Sequence, residues 1–382
     1  MSAADDQRPA LVVVIAAASE IGDVREHNED HLLVADLDAA QKIEIGDQPY
    51  RAEGARGPFL VVCDGMGGVE GGEIASELAS AVLWREMKGT PATRDAEVFA
   101  RLLRRAARVA NHDVHAMARR EPGLRGMGTT VSAAAVVGDR LIAATVGDSR
   151  VYVLRAGVLV QVTRDQSLQS ALLAAGHSPG EVASAGGAIL QALGVGDDVE
   201  PSLSMAELRA GDRVLLCSDG LYGLVADPAI ALLLSEPHDV QQAVRLLVAA
   251  ARAAGGTDNI TAIVCEVKGG GLIAPKSDDD LPSFLEFDPQ KEGDPALTET
   301  SYVARRLAAR IGIPQHSIPP SIPVTGQHPV MRSSVGLRLP PTELPVELEG
   351  PARKRLDDGI FRWWLAPIVV VACLIAWWLG AR

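Results

Sequence analysis

The sequence has few cysteines and, between residues 11 and 268, no stripe of basic residues, and both absences restrict what the protein can be. Four cysteines lie far apart with no C-x-x-C spacing, so neither a zinc cluster nor a disulfide framework is predicted, and reduced thiols are expected at Cys63, Cys217, Cys265 and Cys373. The net charge is -13, and no stripe of Lys and Arg appears between residues 11 and 268. Because nucleic-acid backbones are bound mainly by clustered Lys and Arg, no nucleic-acid partner is expected.

Charge is absent from residues 363–380, an apolar run of 18 residues. As a helix this run would be about 27 Å long, enough to cross the hydrocarbon core of a bilayer. Tryptophan pairs stand at its two ends, as expected for rings at the two membrane interfaces. A buried core helix is the alternative, but it gives no reason for this placement of the tryptophans. We therefore predict a single transmembrane anchor within residues 361–382, attached to the cell membrane.

The charges around this span predict its orientation. One arginine follows it, whereas four basic residues precede it: Arg353, Lys354, Arg355 and Arg362. The positive-inside tendency then places the large N-terminal domain in the cytoplasm. At the other end, the apolar run of residues 10–18 follows two aspartates rather than a basic segment. It is predicted to be a first strand after an N-terminal tail of residues 1–10, and not a signal peptide.

Residues 269–360 differ in composition from the rest of the chain. They contain 13 of its 23 prolines, three consecutive aspartates at 278–280 and few long apolar runs. Its prolines should stiffen such a coil and extend it. We predict a Pro-rich, acidic linker that is flexible and mostly disordered.

Residues 11–268 carry the pattern of a folded domain, and the hydrophobic content of 47% is ample for a packed core. Helical spacing of apolar residues predicts helices at 73–87, 96–118 and 232–254. Paired strand-like runs with short turns predict two antiparallel hairpins, 131–137 with 141–146 and 152–154 with 159–162. Residues 260–267 are predicted to close the domain as a strand. Helices placed around hairpin-rich sheets indicate an α+β sandwich.

Five short motifs each place an aspartate where a strand gives way to a tight turn: Asn28-Glu29-Asp30, Asp64-Gly65-Met66-Gly67-Gly68, Gly147-Asp148-Ser149-Arg150, Ser218-Asp219-Gly220 and Asp258-Asn259. Taken alone, an Asp-Gly pair is usually only a β-turn. Five such motifs in one domain, three of them beside strongly apolar strands, favour a site for hard divalent metals. Mg²⁺ and Mn²⁺ prefer oxygen ligands and are usually held by a few carboxylates and waters.

Two other chemistries are weaker interpretations of the same segments. Residues 67–72 are glycine-rich and lead into a helix, which could cradle a phosphate, yet they lack the Lys-Ser/Thr of a nucleotide-binding loop. Cys63 and Cys217 each lie close before a site aspartate. A nucleophilic cysteine would need a loop cradle with a nearby arginine, whereas these two end apolar strands, so a packing role is predicted.

The motifs together resemble those of the metal-dependent PP2C-type protein serine/threonine phosphatases, and the bacterial branch is the better match. The resemblance spans about residues 19–267 and rests on the following segments: Arg25-x-x-Asn28-Glu29-Asp30, Asp64-Gly65-Met66-Gly67-Gly68, Gly128-Thr129-Thr130, Gly147-Asp148-Ser149-Arg150, Ser218-Asp219-Gly220-Leu221 and Thr257-Asp258-Asn259-Ile260-Thr261. It implies an α-β-β-α sandwich of two antiparallel sheets flanked by helices. A two-metal centre would lie in the cleft at one end of the sheets.

The resemblance also implies roles for individual residues. Asp64 would bridge two Mn²⁺ or Mg²⁺ ions, with the Gly65 carbonyl, Asp219 and Asp258 completing the two-metal site. Glu29 and Asp30 would hold waters on the ions. Asp148, together with Asp219, matches a position that binds a third, weaker metal. Arg25 would grip two oxygens of the substrate phosphate with its planar fork.

Three departures from the family pattern concern substrate and leaving group. Met66 stands where eukaryotic relatives have a histidine thought to protonate the leaving oxygen, so the general acid is unassigned. His27 is a candidate by proximity, although a lone histidine in a polar loop is more often solvent-facing. Residues 165–167 read Asp-Gln-Ser where bacterial relatives often have Asp-His-Ser, and the usual His-Pro of the following flap, about residues 167–199, is missing. Substrate choice therefore remains open.

These observations predict a phosphatase with a monomeric catalytic domain that hydrolyses phosphoserine and phosphothreonine in phosphoproteins. Its partners would be a membrane-bound Ser/Thr kinase and the targets of that kinase. The alternatives are a non-catalytic phosphoprotein-binding adaptor on the same fold and a scaffold that acts through the linker and anchor. The complete set of aspartates argues against the adaptor.

Overall fold

A computed structural model describes most of the N-terminal 287 residues. The described ranges are 11–54, 56–67, 70–183, 187–236, 239–269, 272–275 and 280–287. The predicted N-terminal tail, most of the predicted linker and the predicted transmembrane anchor lie outside them. Within these ranges, no helix is both long enough and apolar enough to cross a membrane.

The first of two antiparallel sheets has six strands in the order β10-β9-β12-β13-β1-β4. In chain order they are β1 (Leu11–Glu20), β4 (Tyr50–Gly54), β9 (Arg150–Arg155), β10 (Val158–Gln161), β12 (Arg213–Cys217) and β13 (Ile260–Gly269). Strand β1 pairs with β13 along its whole length, from Leu11 opposite Gly269 to Glu20 opposite Ile260. The first and last long strands of the domain are therefore neighbours in the interior of this sheet.

The second sheet has eight strands, seven of them in the order β14-β11-β8-β7-β5-β2-β3, and the eighth, β6, pairs with β5 outside this order. They are β2 (Asp30–Asp36), β3 (Gln41–Lys42), β5 (Arg56–Met66), β6 (Gly128–Thr129), β7 (Val131–Val137), β8 (Arg140–Val146), β11 (Ser202–Glu207) and β14 (Phe284–Glu286). Both predicted hairpins are present, since β7 pairs with β8 and β9 pairs with β10.

The described chain contains seven α-helices, which lie on the outer faces of the two sheets or in the connections between strands. They are α1 (Gly71–Lys88), α2 (Ala96–Arg120), α3 (Leu168–Ala174), α4 (Pro179–Ala183), α5 (Asp219–Tyr222), α6 (Asp227–Ser235) and α7 (Val240–Ala253). Helix α2 begins directly after Asp95. The side chain of Asp95 caps the helix by accepting hydrogen bonds from the N–H groups of Glu97 and Val98. Its apolar stripe, which includes Phe99 and Leu103, then faces the core.

The core consists of three apolar layers, and consecutive residues of one strand belong to different layers. Phe59 packs with α1 and α2 on the outer face of the second sheet, whereas Leu60 packs between the two sheets. In the same way, Leu215 faces α7 and Leu216 faces the other sheet. All four side chains are fully buried. A strand buried on both faces needs an unbroken apolar run, which explains the sequence of β5 and β12.

One predicted helix is wrong: residues 232–254 do not form a single helix. Helix α6 ends at Ser235, and α7 begins at Val240 after Asp239, whose side chain accepts from Gln242 N–H over 2.7 Å. The sequence carries Pro237 between them, and proline has no N–H for a helical hydrogen bond. The apolar periodicity continues through the break because both helices pack on the same sheet.

Strand β14 comes from the segment predicted as a linker. It extends the second sheet by pairing Ser204 of β11 with Glu286. The segment before it contacts a buried ion pair: Arg155, 3% exposed, binds Asp212 over 2.7 Å and donates to the Leu281 carbonyl over 3.4 Å. Asp280 accepts from the neighbouring Arg209 over 3.2 Å. Residues 280–287 are therefore packed on the sandwich.

Substitutions in β14 should test whether this strand stabilises the domain. Phe284 packs against the layer between the sheets, whereas Leu285 is 61% exposed. We expect Phe284→Ala to lower the free energy of unfolding by about 1–2 kcal/mol, because a half-buried aromatic ring is removed. Leu285→Ala is the matched control and should leave it nearly unchanged. Thermal unfolding of both variants measures this. A Phe284→Ala protein that melts at the same temperature as the parent would show that this contact of β14 adds no stability.

Candidate metal centre

Two aspartates on neighbouring strands form the middle of an acidic cluster. Asp30, the first residue of β2, lies directly opposite Asp64 of β5. The main chain of Asp64 is fixed on its other side by Thr130, whose N–H donates to the Asp64 carbonyl over 2.8 Å and whose hydroxyl accepts from Asp64 N–H over 3.1 Å. Side chains opposite each other in an antiparallel pair share one face of the sheet. Strand pairing therefore brings these two carboxylates together.

Glycines let the main chain approach this pair closely. A Cβ atom at Gly65 would lie 2.1 Å from the Gly72 carbonyl oxygen and 2.5 Å from that of Glu29. A Cβ atom at Gly72 would lie 2.4 Å from the Glu29 carboxylate, to which the Gly72 N–H donates. Glu29 thus occupies the N-terminus of α1, where a phosphate cradle was the weaker prediction. Positions 65 and 72 admit only glycine.

Asp219 and Asp258 reach the cluster from the first sheet. Asp219 begins α5, separated from the end of β12 by one residue, and burial together with the nearby carboxyl groups raises the pKa of both Asp219 and Asp64. Asp258 lies just before β13, and its Oδ2 accepts from Nη2 of Arg25 over 2.7 Å. A Cβ atom at Gly220 would lie 2.0 Å from the carbonyl oxygen of the residue after Asp258. The first residues of α5 therefore pack directly on the segment that carries Asp258.

Asp148 lies where the chain crosses between the sheets, after β8 of the second sheet and before β9 of the first. The crossing starts at Gly147, whose φ of +100° is a conformation that residues with a side chain rarely adopt. Asp148 is close enough to Asp64 and Asp219 for electrostatic repulsion with both. The structure therefore brings together all the predicted acidic site residues, from both sheets, at one end of the sandwich.

Burial and mutual repulsion make these carboxyls hard to ionise. Burial, followed by repulsion from the other carboxylates, raises the pKa of Asp148 to about 7. Burial likewise raises the pKa of Asp30 to about 7, although hydrogen bonds from Ser218 and Thr261 oppose the shift. The pKa values of Asp64 and Asp219 are raised for the same two reasons. The cluster therefore favours a compensating positive charge.

The donor set fits a hard divalent cation. Carboxylates and the main chain at Gly65 offer oxygen ligands, as Mg²⁺ and Mn²⁺ require, and the close approach at Gly65 leaves no room for a side chain. In the described part of the chain, no three His, Cys, Asp or Glu side chains are already arranged as a cage for a metal ion. Asp258 is instead turned to Arg25. Ions that keep several waters need few direct protein ligands, so a preformed cage is not required.

Several polar residues that orient the acids were not assigned roles from the sequence. Ser218, which is fully buried, donates to Asp30 Oδ2 over 2.7 Å and accepts from Thr261 N–H over 3.1 Å. Asn259 accepts from Glu29 N–H over 2.8 Å and donates to the carbonyls of residues 21 and 27 over 2.9 Å. Each stands next to a metal-motif aspartate in the sequence. That adjacency was the available signal, but side-chain partners distant in sequence could not be inferred from it.

Gln166, which stands where bacterial relatives often have histidine, is 9% exposed and fully engaged in hydrogen bonds. It accepts from Gly147 N–H over 3.1 Å through its side chain and donates to the Gly147 carbonyl over 2.7 Å through its main chain. Its amide also donates to Ser202 over 2.9 Å. Gln166 therefore ties the flap, which begins with α3, to the loop that carries Asp148.

The remaining sequence candidates are placed as follows. His27 is exposed, in agreement with its interpretation as a solvent-facing residue, and Met66 is half-buried beside the acidic cluster. Cys63 and Cys217 are free and fully buried, and burial raises the pKa of both thiols. A buried thiol that resists ionisation is a poor nucleophile, so the packing role predicted for these cysteines is supported.

Comparison with known proteins agrees with this geometry. Residues 47–263 match the family model of protein phosphatase 2C. The serine/threonine protein phosphatase PstP of Mycobacterium tuberculosis is 39% identical over 263 residues, which cover 68% of this chain and 46% of PstP. The serine/threonine phosphatase stp of Listeria monocytogenes is 34% identical over 248 residues, which cover 64% of this chain and 92% of that protein.

Among solved structures, the catalytic domain of PstP in complex with two manganese ions superposes with a TM-score of 0.56 at 38% identity, covering 68% of this chain and 99% of that domain. The serine/threonine phosphatase of S. agalactiae gives a TM-score of 0.59 at 29% identity, covering 67% and 100%. The chain therefore belongs to the protein phosphatase 2C family. The predicted fold of two antiparallel sheets flanked by helices is confirmed for the described domain, while the chain spans about half of the length of PstP.

The raised pKa values predict how stability depends on pH without divalent metal. Asp148 and Asp30 have pKa values of about 7, far above the ordinary value near 4, so the folded state binds their protons more tightly than the unfolded chain does. The free energy of unfolding should therefore fall as pH rises from about 4 to 7. We expect a lower melting temperature at pH 7.5 than at pH 5 in EDTA, and recovery at pH 7.5 on addition of Mn²⁺.

Asp148→Asn removes one of these groups and should flatten the pH dependence of the melting temperature. Asp139→Asn, an exposed change in the turn between β7 and β8, is the matched control and should follow the parent curve. A variant Asp148→Asn with the full pH dependence of the parent would show that this carboxyl ionises normally in the folded protein.

Proposed function

We propose that this chain is a metal-dependent protein serine/threonine phosphatase that hydrolyses phosphoserine and phosphothreonine side chains. The observation that carries the proposal is the convergence of five aspartates from both sheets on one end of the sandwich: Asp30, Asp64, Asp148, Asp219 and Asp258. Supporting it are the membership of the protein phosphatase 2C family and relatives named as serine/threonine phosphatases.

In this proposal, Asp64, the Gly65 carbonyl, Asp219 and Asp258 hold two Mn²⁺ or Mg²⁺ ions. Glu29 and Asp30 orient waters at the site, and Asp148 with Asp219 holds a third, weaker ion. Ions bound there would supply Lewis-acid activation of water and neutralise charge on the phosphoryl oxygens. The manganese ions of the related PstP domain support this choice of metal.

Arg25 is proposed to bind the substrate phosphate. Its side chain is 46% exposed at the edge of the acidic cluster, and its guanidinium already donates to Asp258. Hydrogen bonding to Asp258 raises the pKa of Arg25, so the guanidinium stays charged at every relevant pH. A planar, permanently charged fork can donate to two phosphoryl oxygens at once. One nitrogen would keep Arg25 aligned through Asp258 while the others face the substrate.

Substitution of a central aspartate tests the chemistry. We expect Asp64→Asn to reduce release of phosphate from a phosphothreonine peptide by at least about 100-fold, since catalysis depends on charge stabilisation at the site. The parent should be active with Mn²⁺ or Mg²⁺ and inactive in EDTA. Asp139→Asn lies in an exposed hairpin turn and should retain full activity.

Two outcomes of the same assay would count against the proposal. Full turnover by Asp64→Asn would exclude the role given to this carboxylate. A folded parent that binds the phosphopeptide without releasing phosphate, with any metal, would instead support the non-catalytic adaptor.

We also propose, from sequence alone, that residues 361–382 anchor the protein in the cell membrane with the catalytic domain in the cytoplasm. A membrane-bound Ser/Thr kinase and its targets would then be the phosphoprotein substrates, because tethering raises their effective concentration at the enzyme. The 18 uncharged residues flanked by tryptophan pairs support this proposal.

Fractionation of cells tests the anchor. The full chain should be recovered with membranes and resist extraction by high salt, whereas a chain that ends at residue 360 should be soluble. Equal partitioning of the two chains would rule out anchoring by this segment.

A further inference from the structure

Helix α5 carries two residues that bear on the third metal position. Its first residue, Asp219, is a metal ligand in the proposed function, and its last residue is Tyr222. The hydroxyl of Tyr222 donates to the main-chain carbonyl of Asp148 over 3.0 Å. Two carboxylates, Asp148 and Asp219, are proposed for the third ion. The single turn of α5 therefore carries one of them, Asp219, and contacts the main chain of the other, Asp148.

The Tyr222 ring is itself held in place. The guanidinium carbon of Arg150 lies 3.6 Å from the ring centroid, which is the distance of a close cation–π contact. Arg150 in turn makes a bidentate ion pair with Asp165, in which its nearest nitrogen lies 2.7 Å from the carboxylate. Another nitrogen donates to the hydroxyl of Tyr152 over 2.8 Å, and that hydroxyl donates to Asp227 over 3.2 Å. The Tyr222 ring therefore stacks on a guanidinium that is itself held by charged hydrogen bonds.

The loop between β8 and β9 is contacted from two sides. Gln166 binds both the N–H and the carbonyl of Gly147, and Tyr222 binds the carbonyl of the next residue, Asp148. Because Gly147 has a φ of +100°, the direction of the chain at this point depends on such contacts. The Tyr222 hydroxyl therefore holds the peptide group that follows Cα of Asp148 through one hydrogen bond.

We propose that Tyr222 is a positioning residue for the third metal: its hydroxyl fixes Asp148 relative to Asp219, and Arg150 with Asp165 holds the ring that carries this hydroxyl. The inference rests on the proposed function, because it concerns the weaker metal position of the same site. Tyr222 need not touch metal or substrate. It acts through the main chain of Asp148.

The variant Tyr222→Phe isolates the hydroxyl, since the ring that stacks on Arg150 is kept. Tyr50→Phe is a matched control: the Tyr50 hydroxyl donates to Asp36 over 3.1 Å, and both residues lie on strands rather than in the loops of the metal centre. Each variant loses one tyrosine hydrogen bond, so any general loss of stability should be similar. Only Tyr222→Phe should change the affinity for metal.

The measurement is direct Mn²⁺ binding by isothermal titration calorimetry with the full chain in detergent, accompanied by thermal unfolding. For the parent and for Tyr50→Phe we expect two tighter ions and one weaker ion. For Tyr222→Phe we expect the weakest site to lose about five- to tenfold in affinity, as for one lost hydrogen bond, and the tighter sites to be unchanged. The Mn²⁺ concentration for half-maximal phosphatase activity should rise accordingly.

Several results would overturn the inference without touching the proposed function. One is a Tyr222→Phe protein that binds Mn²⁺ as the parent does, and another is a parent that binds only two ions. A third is a Tyr222→Phe protein whose Mn²⁺ affinity falls at all sites together with its melting temperature. A parent that binds no Mn²⁺ and releases no phosphate would instead overturn the proposed function, and the role of Tyr222 with it.

Discussion

Repulsion between closely spaced carboxylates, one buried and the others partly buried, is the constraint around which this structure is arranged. Asp30 and Asp64 are brought together by strand pairing, and Asp148, Asp219 and Asp258 are added from loops of both sheets. Burial in a medium of low dielectric raises the pKa of four of these groups, so the cluster is costly unless protons or cations neutralise it. A divalent metal bound at the cluster would remove this cost, and in the proposed function the stability of the domain and its activity then depend on the same ions.

The sandwich supplies the stability that the acidic end lacks. Three apolar layers bury both faces of the central strands, and the cluster is confined to one edge where strands meet turns. Because each sheet contributes part of the acidic cluster, the cluster forms only when the two sheets are packed on each other. Uncharged partners then hold the acidic residues in place: Ser218 donates to the Asp30 carboxylate, while Thr130 and Asn259 accept from the main-chain N–H groups of Asp64 and Glu29. A metal site needs hydrogen-bonded residues of this kind around its acids if its geometry is to be defined.

Much of the fold could be predicted because local patterns and tertiary packing agree. Apolar runs such as 59–63 and 213–217 became strands buried on both faces, and the two hairpins were predicted from their turns. Prediction failed where local signals were ambiguous. The helical periodicity of residues 232–254 concealed a break between α6 and α7, and the composition after residue 269 concealed β14, a three-residue strand whose partner, β11, lies about 80 residues earlier in the chain.

By itself, the sequence determined which carboxylates the candidate site contains, which glycines flank them, and that an arginine accompanies them. These features are local, since an aspartate after an apolar strand or a glycine in a tight turn is specified by its immediate neighbours. Only the tertiary structure decided which groups meet. The pairing of Asp30 with Asp64, the Ser218–Asp30 hydrogen bond and the contact of Tyr222 with Asp148 join residues that are 34 to 188 positions apart. Such contacts follow from strand register and layer packing, which depend on the whole chain at once.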